Sequence, residues 1–324
     1  MKLSIVIPVY NEEESLTQLH KEISEVAESH KYDVEMIFID DGSRDQSWQV
    51  VKQLSQEDTR IRGIKFRRNF GKAAALNAGF ETARGEIVMT MDADLQDDPR
   101  EIPAFLAQLQ EENLDVISGW KQVRHDPWHK VIPSRFFNAM VSYMTGVRLH
   151  DHNCGMKCYR REIFNEVVLY GELHRFVPVL ASARGYRVGE KTVEHRARKF
   201  GQSKYGFTRF VKGFLDLFTV WFLTGYGQRP QHLLGTIGLI AMTLGLTILT
   251  CLAVLWCGSR VLGQFGICDP VHLSNHAAAF GYSIAALLLG GQFISVGIIA
   301  ELIVSNRNKT GKAYSIAEEL DQKT

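Results

Sequence analysis

Residues 88 to 99 read VMTMDADLQDDP, an apolar stretch that runs directly into carboxylates. Asp92, Asp94, Asp97 and Asp98 place four acids within seven residues, and like charges that close repel unless a cation lies among them. Asp92 and Asp94, with Gln96 two positions on, offer hard oxygen ligands of the kind that suit Mg2+ or Mn2+. Mg2+ is commonly held by one or two carboxylates together with phosphate oxygens. The pattern therefore points to a nucleoside diphosphate whose departing charge the ion neutralises. A lone Asp-x-Asp also occurs in solvated turns, and its position after a buried strand is what favours the metal reading. Two other phosphate motifs are missing. No G-x-G-x-x-G follows the first strand, which argues against dinucleotide binding, and GKAAALNAG lacks both the earlier Gly and the Ser/Thr of a Walker loop.

The elements that must position these acids alternate. LSIVIPV, VEMIFID, IRGIKF and EIVMTMD read as strands; helical stretches begin near Glu12 and Asp45, and a third runs from Lys72 to Ala83. This order predicts an α/β, doubly wound, mostly parallel sheet with helices on both faces, and ligands bind beyond the carboxyl ends of such strands. Tyr10-Asn11-Glu12, Asp40 to Ser43, Arg67-Arg68-Asn69 and Asp92 to Gln96 then share one rim.

A chain of 324 residues exceeds what one core usually holds. The formal charge of +1 is uninformative, but Arg184 to Lys212 carries nine Lys or Arg against two Glu, a segment that either faces something anionic or is merely well solvated. Leu233 to Cys257 is free of charge, and a second apolar run, about 277 to 304, is interrupted only by Glu301. At ~1.5 Å per residue each exceeds a hydrocarbon core of ~30 Å, so both are expected to span a membrane. Arg209, Lys212 and Arg229 before the first span, and Arg307, Lys309 and Lys312 after the second, place head and tail on the cytoplasmic side of a multi-pass inner-membrane protein. LSIVIPV followed by NEEE does not resemble a signal peptide. The segment RFVKGFLDLFTVWFLTGYGQRP reads as an interfacial helix or, alternatively, a core helix of the head. Glu301 is expected to reach the headgroups. Ala286/Gly290 and Gly281/Ala285 are spaced for close helix approach, between the two spans or between protomers. The five cysteines lack zinc spacing and are assigned no chemistry. The expected divisions are 1–206, 207–231 and 232–324.

SIVIPVYNEEESL, FIDDGSRDQS, RNFGKAAALNAGF, MDADLQDDP, SGWKQVRHDP, DHNCGMKCYRREIF and GQSKYG together resemble the family-two glycosyltransferases that act on polyprenyl phosphates. That family includes dolichol-phosphate mannose synthase and bacterial undecaprenyl-phosphate glucosyltransferases. The resemblance implies a GT-A fold and an inverting, metal-dependent transfer. It places Pro8, Tyr10, Glu12, Asp41, Lys72 and Asp92 at the nucleotide-sugar, with Asp41 reading the base. Asp94 and Gln96 become the ligands of Mg2+ or Mn2+, and Asp151 a catalytic-site carboxylate that orients the sugar or a basic residue. Arg124, Ser134, Arg135, Arg198 and Lys204 are expected at the acceptor phosphate, with Arg124 and Arg135 also counted in the catalytic set. Simple attraction to anionic headgroups would account for any one of these cations taken alone, just as Pro8 can merely end a strand and Asp41-Gly42-Ser43 can merely form a turn.

An acceptor phosphate monoester, with a second pKa near ~6, is already largely anionic and needs no general base. HNCGMK and YGELHRF look more like the undecaprenyl-phosphate glucosyltransferase branch, which implies UDP-glucose; GDP-mannose is the alternative donor. The resemblance and the glycine-rich spans also imply a homo-oligomer, with a tetramer as one form, and no nucleic-acid partner. A processive synthase is disfavoured because no Gln-x-x-Arg-Trp occurs. A non-catalytic membrane scaffold leaves the acid cluster unexplained, and an oxidoreductase lacks its glycine fingerprint.

Overall fold

The computed structural model describes residues 2–122, 128–167, 173–194, 196, 208–265, 269 and 271–308. These fall into two compact units that meet in sequence between Thr224 and Gly225.

In the first unit the strands and helices are β1 (Lys2–Val9), α1 (Leu16–Ser29), β2 (Asp33–Asp40), α2 (Ser47–Glu57), β3 (Ile61–Lys65), α3 (Lys72–Thr82), β4 (Ile87–Thr90), α4 (Ile102–Glu111), β5 (Val116–Lys121), α5 (Trp128–Thr145), β6 (Lys157–Arg160), α6 (Val177–Ser182), β7 (Val188–Val193) and α7 (Thr208–Gly225). The sheet order is β3-β2-β1-β4-β6-β5-β7. All neighbours are parallel except β6, which runs antiparallel to β4 and β5, so the sheet is mixed. The near-continuous apolar runs of β1 and β2 follow from burial on both faces. One face packs Leu19 and Ile23 of α1, Val51 and Leu54 of α2 and Phe105 of α4; the other packs Leu76 and Phe80 of α3 and Ala181 of α6. Helix α1 begins at Leu16, four residues later than expected. Residues 12–15 instead make a turn in which Glu12 carbonyl accepts from Ser15 N and Oγ.

The chain runs from β1 out to β3 and then returns to the other side of β1 with β4. The crevice of this topology therefore lies between the ends of β1 and β4. Pro8 fits there because β4 pairs with β1 only up to Val6 opposite Thr90, so its missing N–H falls beyond the ladder. Helix α7 as far as Thr224 belongs to this unit, with one face buried and the other exposed. Leu217 and Val220 join a core cluster with Phe137, Val141, Leu173 and Phe176, while Phe214, Leu215, Phe218 and Leu223 stay exposed.

The second unit is the pair α8 (Pro230–Gln264) and α9 (Ala277–Asn308), both long and apolar enough to cross a membrane. The pair packs through glycine. A Cβ on Gly290 would sit 2.6 Å from the carbonyl oxygen of Gly238, and one on Gly245 2.6 Å from that of Ser283. Close approach is thus between the two helices, while a Cβ on Gly281 would meet nothing within 4 Å. Glu301, expected to reach outward, instead accepts from the backbone N–H of Gln231 at 3.3 Å. The first turn of α8 has N–H groups without intrahelical partners, and a carboxylate there is favoured by the helix dipole. Cys154 and Cys158 are buried, and Cys251 and Cys257 are exposed; Cys268, Lys309 and Lys312 lie outside the described residues.

Candidate active site

Pro8, Tyr10, Glu12, Asp41, Lys72, Asp92, Asp94 and Gln96 all line one cleft of about 430 Å3 at the ends of β1, β2 and β4. The strand-end rule brings them together across 88 positions of sequence.

The four acids of residues 92–98 are sorted by partner. Asp97 is buried and faces inward, where Oδ1 pairs with Lys121 Nζ at 3.1 Å and Oδ2 accepts from Asp92 N at 3.2 Å. Burial acts to lower the Lys121 pKa, but the Asp97 carboxylate beside it carries the net shift well upward. Asp98 is also buried and accepts from Arg100 Nη2 and Arg196 Nη2, each at 2.7 Å. Burial would raise its pKa, and these guanidiniums bring it below the usual carboxylate range. Leu95, at φ 62°, takes the left-handed turn that separates the two pairs. That leaves Asp92 and Asp94 for the cleft, so the crowding in sequence is relieved by cations from β5, the 3-10 turn after Asp98 and residue 196.

Asp92 is bound by the Lys72 ammonium from the first turn of α3. Burial pushes its pKa up and Lys72 pulls it down, with the net result at about 2. A Cβ at residue 155 would lie 2.5 Å from Asp92 Oδ2, so only glycine leaves the carboxylate its place. Asp41 is anchored as well. Its oxygens accept from Phe70 N at 2.6 Å and Gly71 N at 2.9 Å, fixing the turn that launches α3, while burial raises its pKa. Ser47 Oγ accepts from Glu12 N at 2.9 Å, and Ser43 Oγ accepts from Asn11 N at 3.0 Å, which ties the loop after β1 to the loop after β2.

The Asp94 carboxylate and the Gln96 amide place two hard oxygen donors on the cleft wall, with Gln96 N donating to Asp94 Oδ1 at 3.2 Å. Among the described residues no group of three His, Cys, Asp or Glu forms a closed metal site. The donor set fits an ion that takes its remaining ligands from phosphate oxygens and water, as Mg2+ and Mn2+ do.

Asn153, Gly155, Lys157, His174 and Arg175 complete the inner wall. They come from the loop before β6, from β6 itself and from the 3-10 turn Leu173–Phe176. Lys157 is 4% exposed, and its Nζ donates to the Cys154 carbonyl at 2.5 Å. Burial lowers its pKa to about 8. Burial, followed by the charges of Lys72, Arg175 and Lys157, drives the His174 pKa well below that of free imidazole, so the ring is neutral. HNCGMK and YGELHRF contain these residues, but a cation on an antiparallel strand carries no spacing that marks it as facing the site.

Other expected site residues stand elsewhere. Asp151 is 1% exposed and does not line the cleft; its N–H donates to Glu190 Oε1 at 2.9 Å and its Oδ1 accepts from Asn153 N at 3.0 Å. It braces the loop that carries Asn153 and Cys154. Arg135 is exposed on α5 and Ser134 half-buried beside it, and neither lines the cleft. The reason is helical geometry: this stretch of α5 turns Phe137 and Asn138 inward and residue 135 outward. Arg124, Arg198 and Lys204 lie outside the described residues.

The family model described as glycosyl transferase family 2 matches residues 4–168. Dodecaprenyl-phosphate galacturonate synthase of Rhizobium johnstonii is 36% identical over 100% of this chain and 94% of its own length. The undecaprenyl-phosphate 4-deoxy-4-formamido-L-arabinose transferase of Proteus mirabilis is 34% identical over 93% of this chain and 88% of its own. Among solved structures, glucosyl-3-phosphoglycerate synthase from Mycobacterium tuberculosis, in complex with Mn2+, UDP and phosphoglyceric acid, superposes with a TM-score of 0.54. It is 15% identical, over 69% of this chain and 78% of that one. At that identity the likeness is one of fold.

Proposed function

This chain belongs to glycosyl transferase family 2, and from that premise we propose that it transfers one sugar from a nucleotide-linked donor to a polyprenyl phosphate at a membrane surface. The observation that carries the reading is the pair of cleft-facing acids, Asp92 held by Lys72 and Asp94 beside Gln96, in a chain similar over its full length to a lipid-phosphate sugar transferase. The glucose expected from the sequence has no support among the relatives named, whose sugars are galacturonate and a formamido-arabinose. The donor in this proposal is therefore a UDP-sugar modified relative to glucose.

Asp94 and Gln96 would hold Mg2+ or Mn2+, which when bound supplies charge neutralisation for the departing nucleotide. Tyr10, Glu12 and Asp41 form the nucleotide end of the cleft, and Lys72 stands where it can leave Asp92 for a phosphate oxygen. The acceptor phosphate attacks the sugar carbon directly, with inversion, and needs no protein base. Arg124, Ser134, Arg135, Arg198 and Lys204 remain the residues proposed for that phosphate, and Asp151 acts by holding the loop of Asn153 in place.

The exposed apolar face of α7 and the two long apolar helices support a membrane location, and in this proposal the basic flanks of the two spans put head and tail on the cytoplasmic side. The open flank at Gly281 leaves room for a second copy.

The test uses full-length protein in detergent with undecaprenyl phosphate, Mg2+ or Mn2+ and labelled UDP-sugars, counting label that enters the organic phase. Transfer that EDTA and Asp94→Ala both stop is the expected result. No transfer from any donor, with nucleotide still bound, would replace catalysis by a scaffold role.

A further inference from the structure

Asp94 and Gln96, the two oxygen donors at the ion position, are separated by Leu95, a buried residue in the left-handed region at φ 62°. That conformation is unfavourable for a bulky side chain, so the turn that brings Gln96 to the cleft is not one its own sequence prefers. Contacts from its surroundings hold it. On the leading side Gln96 N donates to Asp94 Oδ1 at 3.2 Å. On the trailing side the Gln96 carbonyl accepts, at 3.1 Å, from the N–H of Arg196, a residue beyond the end of β7.

Arg196 is itself fastened at two further points. Its Nη2 meets Asp98 Oδ2 at 2.7 Å, and its Nη1 meets Glu22 Oε2 at 2.6 Å. Asp98, two residues past Gln96, is buried. Glu22 stands on α1, where Gln18 Nε2 donates to its other oxygen at 2.8 Å and fixes its direction. Helix α1 is packed on the sheet through Leu19 and Ile23, so Glu22 is a firm anchor. One guanidinium thus reaches from a packed helix to the far end of the ion loop, while the backbone of the same residue closes on Gln96. Arginine suits the task because its planar fork serves two carboxylates at once, which a point-charge ammonium does not. Arg100 pairs with the same Asp98 carboxylate, but it belongs to the same turn, and that pair ties the turn only to itself.

We propose that Arg196 is a positioning residue for the divalent ion: anchored on Glu22, it holds residues 94–98 in the form that presents Gln96 beside Asp94. The proposal rests on the assignment of Asp94 and Gln96 to the ion and goes beyond it. It also gives the chain after β7 a second task, because Arg198, assigned above to the acceptor phosphate, follows two residues later in sequence.

The experiment titrates the full-length protein in detergent with Mn2+ in the presence of UDP and reads free Mn2+ by its EPR signal, so that affinity is measured apart from turnover. Partners that orient metal ligands contribute on the order of 10- to 100-fold to metal affinity. Arg196→Met is expected to raise the Kd for Mn2+ by about 10-fold, and Glu22→Gln, which leaves every cleft residue in place, by about threefold. Arg100→Met removes the other cation from Asp98 without releasing the loop from α1, and is expected to change the Kd by less than about twofold. In sugar transfer the Arg196→Met protein should need about 10-fold more Mn2+ for half-maximal rate, with kcat at saturating Mn2+ within about threefold of wild type. Unchanged Mn2+ affinity in either Arg196→Met or Glu22→Gln would overturn the proposal while the transferase reading stands. An equal loss in Arg100→Met would do the same, because the effect would then belong to the charge on Asp98. Thermal midpoints are measured alongside, and where Arg196→Met does not fold, the Glu22→Gln titration decides. If the wild type binds no more Mn2+ than an Asp94→Ala protein, the ion assignment itself fails and takes this proposal with it.

Discussion

Gly155→Ala separates the fold from the site. The glycine has no positive φ that alanine would resist, and a new Cβ would meet Asp92 Oδ2 at 2.5 Å and its Cγ at 2.7 Å. Ordinary contact begins at 3.4 Å, so the carboxylate must retreat by about 0.9 Å. That shift carries Asp92 off the Lys72 ammonium and away from the position the cleft gives it. Misplacing a site group by ~1 Å costs on the order of 100-fold in rate, whereas glycine to alanine in an allowed conformation changes stability by only about 0.4–1 kcal/mol, in the favourable direction. The variant is therefore expected to keep its thermal midpoint in detergent and lose about 100-fold in kcat/KM for sugar transfer to undecaprenyl phosphate. Retention of activity within about threefold would refute the reasoning, because Asp92 would then tolerate a displacement that the mechanism forbids.

Lys72→Met removes the cation that outweighs burial at Asp92, so the Asp92 pKa rises from about 2 and the acid limb of the kcat/KM profile moves to higher pH; an unmoved limb would detach Asp92 from the reaction. His152 is fully buried, with Nε2 3.1 Å from Ser142 Oγ, and burial holds its pKa at about 3. The unfolded chain binds that proton and the fold does not, so stability is complete above about 6.5 and falls by up to ~1.4 kcal/mol per pH unit as acid is added towards 3. The thermal midpoint of His152→Gln should decline less steeply between pH 7 and 5. Gly290→Leu drives a side chain into the carbonyl of Gly238 and Met242 Cγ, and should cost about 1–3 kcal/mol in the stability of the helix pair, read as a lower unfolding midpoint in detergent.

Half of the cleft is legible in the sequence because its residues follow parallel strands. Tyr10, Asp41 and Asp92 each come just after an apolar run, and a single rule about strand ends gathers them with no knowledge of distance in the fold. The inner wall has no such marker. Lys157 enters on an antiparallel strand inserted between β4 and β5, and neither its neighbours nor its period indicates which way the side chain turns. Asp151 stands in a motif that resembles a catalytic one, and in the structure Glu190 on β7 accepts its N–H while its Oδ1 accepts from the N–H of Asn153. Glu301 reads as a polar interruption of an apolar helix, and its partner is a backbone group 70 residues away that no side-chain pattern reveals.

That contact fixes more than a helix end. Because Glu301 meets Gln231, the start of α8 and the finish of α9 lie side by side. The first turn of α8 and the last turns of α9 thus lie on one face of any bilayer the pair crosses. Topology reduces to a single binary choice made once for the hairpin. A reporter inserted just ahead of Pro230 must give the same answer as one placed at the end of α9, and a charge added at one of these helix ends acts on the location of both.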